Sequence, residues 1–260
     1  RSVGGLRVPV QLHLDQDFRF ERDSAWRARV LFPLAIGITA AHLVGARELT
    51  VFENGIGAIA LPMTRDHAGP NATRSMQPKT LRLFSAVASR ILGREMFVKN
   101  NGLFMTKQGA VRKFIPDALA DSVRLTNSCP RWSYTKRPCG NCTSCLLRRL
   151  SLAGTRFEEM LPPVHNRTLA LTAMEMQVEL LRDELSQSPE EFGRSHVELS
   201  EAIRYAVLLG MKRQEAEWRI KNLFERHVVE FDAFLSSQPI GSKSRRTATA
   251  QLIEGWSVAA

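Results

Sequence analysis

Four cysteines carry the clearest chemistry in this chain of 260 residues, and all of them fall between Cys129 and Cys145. Cys129, Cys139, Cys142 and Cys145 are spaced C-x9-C-x2-C-x2-C. Two-residue gaps let consecutive sulfurs reach one ion, and four thiolates at about 2.3 Å is the arrangement that structural zinc takes. Gly140 gives the backbone room to turn between ligands, while Arg137, Arg148 and Arg149 are placed to offset the charge of four thiolates around one Zn2+. An iron–sulfur cluster is the rival reading, because three cysteines two residues apart also occur in ferredoxin patterns. There a Cys-Pro often closes the run, whereas Leu146 follows Cys145. Unligated structural thiols are the third reading. With all four positions filled by protein, the ion would brace the fold and leave substrate untouched. The bunching argues against a disulfide framework and for a reducing compartment, so the expected location is the cytoplasm.

Weaker signals lie upstream. Glu53, Asn54 and Gly55 place a carboxylate and an amide where an apolar stretch ends, a pairing suited to a base edge or a ribose hydroxyl. Asn-Gly is equally an ordinary turn. Thr73 and Arg74 put a hydroxyl and a cation into a long loop, and Lys107 follows Thr106. Such groups grip phosphate or carboxylate, and any solvated loop carries them too. His13, His42 and His67 lack a partner pattern, and no Ser-His-Asp arrangement can be argued. His165, His196 and His227 fall in a helical part, where surface or satisfied positions are expected.

These residues need elements to hold them. Val8 to Leu14 alternates apolar and polar residues, as a half-exposed strand does, and Ser24 can cap a helix over residues 25–44 that Gly45 closes. Glu48 to Phe52 reads as a short strand halting at Glu53. Residues 57–78 hold Gly69, Pro70 and Asn71 with little periodicity, which predicts a long loop, and loops of that length are usually functional or disordered. A helix follows over residues 80–92, with Leu81, Phe84, Val87, Ala88 and Ile91 expected on one face and Gly93 at its end. Residues 95–99 form the next expected strand. A helix begins near Gln108, Pro116 interrupts it, and Asp117 starts another.

Strands alternating with helices predict an α/β domain with a parallel sheet, in which ligands bind at the carboxyl ends of strands. The segments carrying Glu53 and Lys107 both leave from that end. Beyond Pro162 and Pro163 only helical stripes remain, through Leu171, Met174, Val178, Leu181 and Leu185, then Leu199, Ile203 and Val207, then Trp218, Leu223, Val228, Phe231 and Leu235. The expected organisation is a partial α/β domain over 1–127, a four-cysteine zinc-binding element over 128–160, a helical extension over 161–236 and a loose tail over 237–260.

Composition sets the remaining bounds. With 44% hydrophobic and 24% charged residues, general disorder is excluded. Residues 1–160 carry 24 Lys and Arg against 12 Asp and Glu, and residues 161–260 carry 12 against 14, so the whole +10 excess sits in the first part. A basic part beside a near-neutral one points to anions such as nucleotide phosphates, although solubility alone also explains it. Val30 to Ala46 is free of formal charge, but it contains Pro33, Gly37, Thr39 and His42 and is short for a span; a buried helix is expected, and no membrane partner. The chain opens on Arg1, with no charged-then-apolar leader, and is expected to belong to a longer protein.

Taken jointly, one order of motifs is distinctive: E-N-G at Glu53 to Gly55, T-R at Thr73 and Arg74, T-K at Thr106 and Lys107, S-C at Ser128 and Cys129, then C-G-N-C-T-S-C-L-L-R-R at Cys139 to Arg149. It resembles the 7-cyano-7-deazaguanine synthase (QueC-like) family of queuosine biosynthesis, within the PP-loop ATP pyrophosphatase superfamily. The E-N-G element is similar to the anti-phage defence branch of that family (QatC-like). The resemblance spans residues 20–150. It implies a Rossmann-like parallel sheet of the adenine nucleotide alpha hydrolase-like type, structural Zn2+, and ATP with Mg2+. The implied reaction is adenylation of a carboxylate on a deazaguanine-type small molecule, followed by attack of ammonia or of an amine on a protein acceptor or defence-system partner. Arg29, in R-A-R-V-L-F, matches an arginine of the family, and Arg74 and Lys107 would contact phosphate or carboxylate. No catalytic residue is identified by the resemblance.

The family's S-G-G-x-D-S phosphate loop does not occur in these residues, and no Asp-Ser follows Ser2 to Gly5. Either the loop and the N-terminal part of the sheet precede Arg1, which is the expectation, or this copy has lost ATP chemistry. Two other classes compete. A nucleic-acid-binding subunit is disfavoured because the aromatic residues are not interleaved with the basic ones and no recognition motif is present. A non-catalytic zinc-containing scaffold remains the second alternative.

Overall fold

The computed structural model describes residues 31–61, 75–115, 123, 125–129, 136–155 and 168–238. The expected strand over Val8 to Leu14, the first turns of the first helix, loop residues 62–74, the helix starting at Asp117 and residues 239–260 lie outside the described residues. In chain order the elements are α1 (Leu31–Leu43), β1 (Glu48–Val51), α2 (Gly55–Ile59), α3 (Pro78–Leu92), β2 (Phe97–Asn100), α4 (Lys107–Phe114), α5 (Thr143–Leu152), α6 (Leu169–Leu185), α7 (Pro189–Ser195), α8 (Val197–Leu208) and α9 (Arg213–Ser237).

Local signals account for the boundaries. Gly45 after α1 and Gly93 after α3 take φ of +76° and +62°, a region that only glycine enters without strain. Pro78 opens α3, where its missing N–H leaves no bond unmade. A capping box between Ser188 and Glu191 starts α7. One expectation fails here. The long loop over 57–78 is preceded by a helix reaching into it, α2, because the Asn54 side chain accepts a hydrogen bond from Gly57 N at 3.0 Å and nucleates a turn.

β1 and β2 are parallel, in register from Glu48 opposite Phe97 to Val51 opposite Asn100. Among the described residues the parallel sheet consists of these two strands, set in a mostly helical molecule. α1 packs on β1 so closely that a Cβ at Gly37 would lie 2.9 Å from the Leu49 side chain. The outer edge of β2 is closed by hydroxyls. Ser89 Oγ accepts from Met96 N at 2.9 Å, and Ser85 Oγ accepts from Val98 N at 2.9 Å. Tyr205 Oη donates to Val98 O and accepts from Asn100 N, both at 2.8 Å. Side chains of α3 and α8 thus take the bonds that a further strand would have made.

This contact also corrects the face expected for α3. Leu81, Ser85 and Ala88 are buried, whereas Val87 and Ile91 are 56% and 77% exposed. Turning Ser85 and Ser89 onto the strand rotates Val87 and Ile91 outward. The helices of the second half meet their stripes more closely: Leu171, Met174, Val178, Leu181, Leu199, Ile203, Leu223, Val228 and Phe231 are buried, while Val207 and Trp218 are exposed. One hydrophobic core runs from Leu34 in α1 to Phe234 in α9, so the later helices and the strand pair share their burial. Among the described residues no helix is long and apolar enough to cross a membrane.

Candidate functional site

The four cysteines converge. Their sulfurs all lie within 4.8 Å of one another, with Cys129 and Cys145 buried and Cys139 and Cys142 half-buried. None is in a disulfide. Cys139 Sγ and Cys145 Sγ are 3.9 Å apart, close to the ~3.8 Å edge of a tetrahedron drawn with metal–sulfur bonds of about 2.3 Å. Gly140, with φ of +78°, makes the turn between the first two of the closely spaced ligands. Cys142 is the residue before α5, and Cys145 lies in its first turn.

The electrostatics suit a negative centre. Burial raises the Cys139 thiol, but hydrogen bonds from the backbone of Asn141 and Cys142 outweigh it and bring the group down to about 6. Burial pushes Cys145 up to about 12 and raises Cys142 as well. Protonated thiols here would release their protons to solvent when a metal binds. Arg149 is buried beside Cys145, and its Nε and Nη1 have no hydrogen-bond partner among the described residues. A buried cation with unpaired donors next to four thiols is what a net-negative metal–thiolate centre would balance. The cluster can therefore hold a metal ion such as zinc.

A second assembly lies at the carboxyl ends of the strands. Asn100, the last residue of β2, accepts at its Oδ1 from Glu53 N at 3.0 Å and from Gly102 N at 2.9 Å, which ties the two strand ends together. Glu53 Oε1 accepts from Asn54 N at 3.0 Å and from Asn54 Nδ2 at 2.5 Å, orienting the amide that caps α2. Gly55 N donates to Met105 O at 2.8 Å. The chains cross there so tightly that a Cβ at Gly55 would sit 2.0 Å from Leu103 O. E-N-G and T-K are therefore parts of one junction: the glycine admits the loop that delivers Thr106 and Lys107 to the start of α4.

That junction opens on a small pocket lined by Asn54, Ile56, Lys107, Gln108, Leu147, Leu150, His227 and Glu230, with room for about one water molecule. Burial lowers the Lys107 pKa, opposed by Glu53 and reinforced by Arg148. His227 is buried with its pKa lowered to about 4 by desolvation, so its ring is neutral near pH 7. Glu230 has its carboxyl raised by burial and accepts from Thr106 Oγ1 at 2.7 Å. Thr106 also caps α4 through Gly109 N at 2.9 Å. Opposed charges and a neutral imidazole around one water-sized space can hold a single polar atom, such as one oxygen of an anion lying at its mouth, and exchange a proton with it.

The two assemblies touch. Leu147 and Leu150 of α5, the helix that the cysteines begin, form one wall of the pocket. Gln108 Nε2 donates to Ala153 O at 2.6 Å just past its end. The sequence had placed Glu53–Asn54–Gly55 and Lys107 as two separate signals, and the fold brings them together. Arg29, Thr73 and Arg74 lie outside the described residues. His227 and Glu230 were missed, His227 being read as a surface or satisfied histidine. Its signal was in the α9 stripe, where it stands between Leu223 and Phe231 at spacings of four, an ionisable group on the apolar face.

No family model, curated protein or solved structure matches the chain. Function is argued from the site itself.

Proposed function

We propose that this chain is part of an ATP-dependent carbon–nitrogen ligase of the QueC-like kind, braced by zinc. In this reading the strand pair belongs to a Rossmann-like sheet. ATP with Mg2+ adenylates a carboxylate on a deazaguanine-type molecule, releasing pyrophosphate, and ammonia or a protein amine then displaces AMP to form the amide. One observation carries the proposal: Glu53–Asn54–Gly55 and Thr106–Lys107 meet at one junction at the carboxyl ends of two adjacent parallel strands, where such sheets bind ligands, and Asn54 and Lys107 line the pocket there. Lys107 supplies the cation for a developing negative charge, Glu53 and Asn54 the acceptor and donor groups for a base edge or ribose. Arg29, Thr73 and Arg74 join them through the motif order alone.

Zinc is preferred to an iron–sulfur cluster because the sulfurs converge at a single-ion spacing and all four ligands come from one short run. The ion would hold the start of α5 and so the pocket wall, without touching substrate. A non-catalytic zinc scaffold is the second reading, favoured by the lack of an S-G-G-x-D-S loop within these residues.

The deciding assay is pyrophosphate release by the full-length, zinc-loaded protein with ATP and a deazaguanine carboxylate. Stoichiometric release dependent on both substrates supports the ligase; none, with zinc in place, rejects it in favour of the scaffold.

A further inference from the structure

Phe52 and Phe114 meet edge to face, with ring centroids 5.9 Å apart and planes at 77°. Both rings face solvent, 66% and 47% exposed. Aromatic pairs usually contribute by burial, and this one leaves much of its π surface open. Its position ties it to the pocket. Phe52 directly precedes Glu53, and Phe114 ends the helix that Lys107 begins. Phe114 stands seven positions after Lys107 along α4, about 10 Å by helical rise, comparable to the reach from base to phosphate in a single nucleotide. Lys113 Nζ stands 5.4 Å from the centroid of the Phe114 ring. Although the sequence keeps Phe52 far from any run of cations, the fold sets it against Phe114, the ring that Lys113 approaches.

We propose that Phe52 and Phe114 form the stacking surface for the base of a purine nucleotide whose phosphates extend toward Lys107. The proposal rests on the nucleotide-handling reading above and adds where the base lies. Aromatic faces bind bases by stacking whatever their edges, and nearby cations strengthen the contact. Glu53, next to Phe52 in the chain and within electrostatic reach of Lys107, has Oε1 engaged by Asn54, while Oε2 has no hydrogen-bond partner among the described residues and can take a ribose hydroxyl. Among the described residues one exposed pair of rings stands near the pocket, which suits a mononucleotide; an extended single strand would require successive platforms.

Calorimetric titration of the full chain with ATP and, separately, with inorganic tripolyphosphate tests this. Phe52→Ala is expected to weaken ATP about tenfold while leaving tripolyphosphate affinity unchanged, and Phe52→Trp to restore ATP binding. Phe114→Ala should repeat the loss, and because both rings are exposed the variants should fold as the parent does. Equal affinity for ATP in parent and Phe52→Ala overturns the stacking role, as does equal weakening of both probes. Absence of saturable ATP binding in the parent overturns the stacking role and the ligase reading together. Ring-dependent ATP binding without pyrophosphate release overturns the ligase reading alone. Tighter binding of an oligonucleotide than of ATP, with the same ring dependence, overturns the mononucleotide assignment.

Discussion

Cys142 and His227 show how much a single position can decide. Cys142→Ser removes one of four converging sulfurs at the start of α5, and since metal affinity is spent as folding energy, metal content and thermal stability should fall together. Elemental analysis and a melting curve check this; a variant that stays as stable as the parent while losing activity would contradict a bracing metal. For His227, burial sets the imidazole at about 4 against 6.5 when exposed. Between those values the unfolded chain binds a proton that the folded chain refuses. Its contribution is therefore complete above about pH 6.5 and is lost toward about pH 4, by about 3 kcal/mol in all. Glu230 acts oppositely, because its raised carboxyl makes the folded chain take up a proton first and acidification relieves its cost. His227→Gln should thus lose less stability than the parent between about pH 7 and about pH 5 in urea titrations; identical slopes would sink the assignment. Of these residues the cysteines were legible in the chain, because their ligand spacing is local. His227 was not, since only the packing of α9 on α4 and α5 tells a buried ring from an exposed one.

The junction of α2, the 101–106 loop and α4 is where elements rather than residues are tested. Gly55→Ala places a methyl 2.0 Å from a carbonyl oxygen and 2.4 Å from Leu223 Cδ2. Neither neighbour is free to retreat far, so the cost should be about 3 kcal/mol, read as a lowered urea midpoint, with Lys107 displaced from the pocket. Tyr205→Phe removes the hydroxyl that serves two backbone groups of β2 and should cost about 2 kcal/mol in the same measurement. A neutral result in either case would mean that the junction is looser than its distances. Both strands, α3, α4 and the three long helices of the second half were readable from period and caps. The register of the strand pair, the helix at Asn54 and the outward turn of Val87 and Ile91 were not. The register and the outward turn depend on partners distant in the chain, such as Tyr205 on Val98, and the helix at Asn54 rests on a cap that Asn-Gly shares with an ordinary turn.

Taken whole, the molecule holds its strand pair and later helices in one core, with Phe192 and Phe224 meeting at 5.7 Å and Phe231 and Phe234 fully buried. Deleting residues from Arg213 onward should therefore abolish the cooperative transition of the entire chain, not trim an appendage; a truncated protein that melts sharply would show otherwise. The hydroxyls of Ser85, Ser89 and Tyr205 have one last consequence. They finish the ribbon on the β2 flank, whereas on the other flank the described residues offer the outward-facing amides and carbonyls of Glu48 and Thr50 no partner. Growth is thus one-sided: an added strand, from this polypeptide or another, can enrol only alongside β1, and two copies cannot zip together through β2.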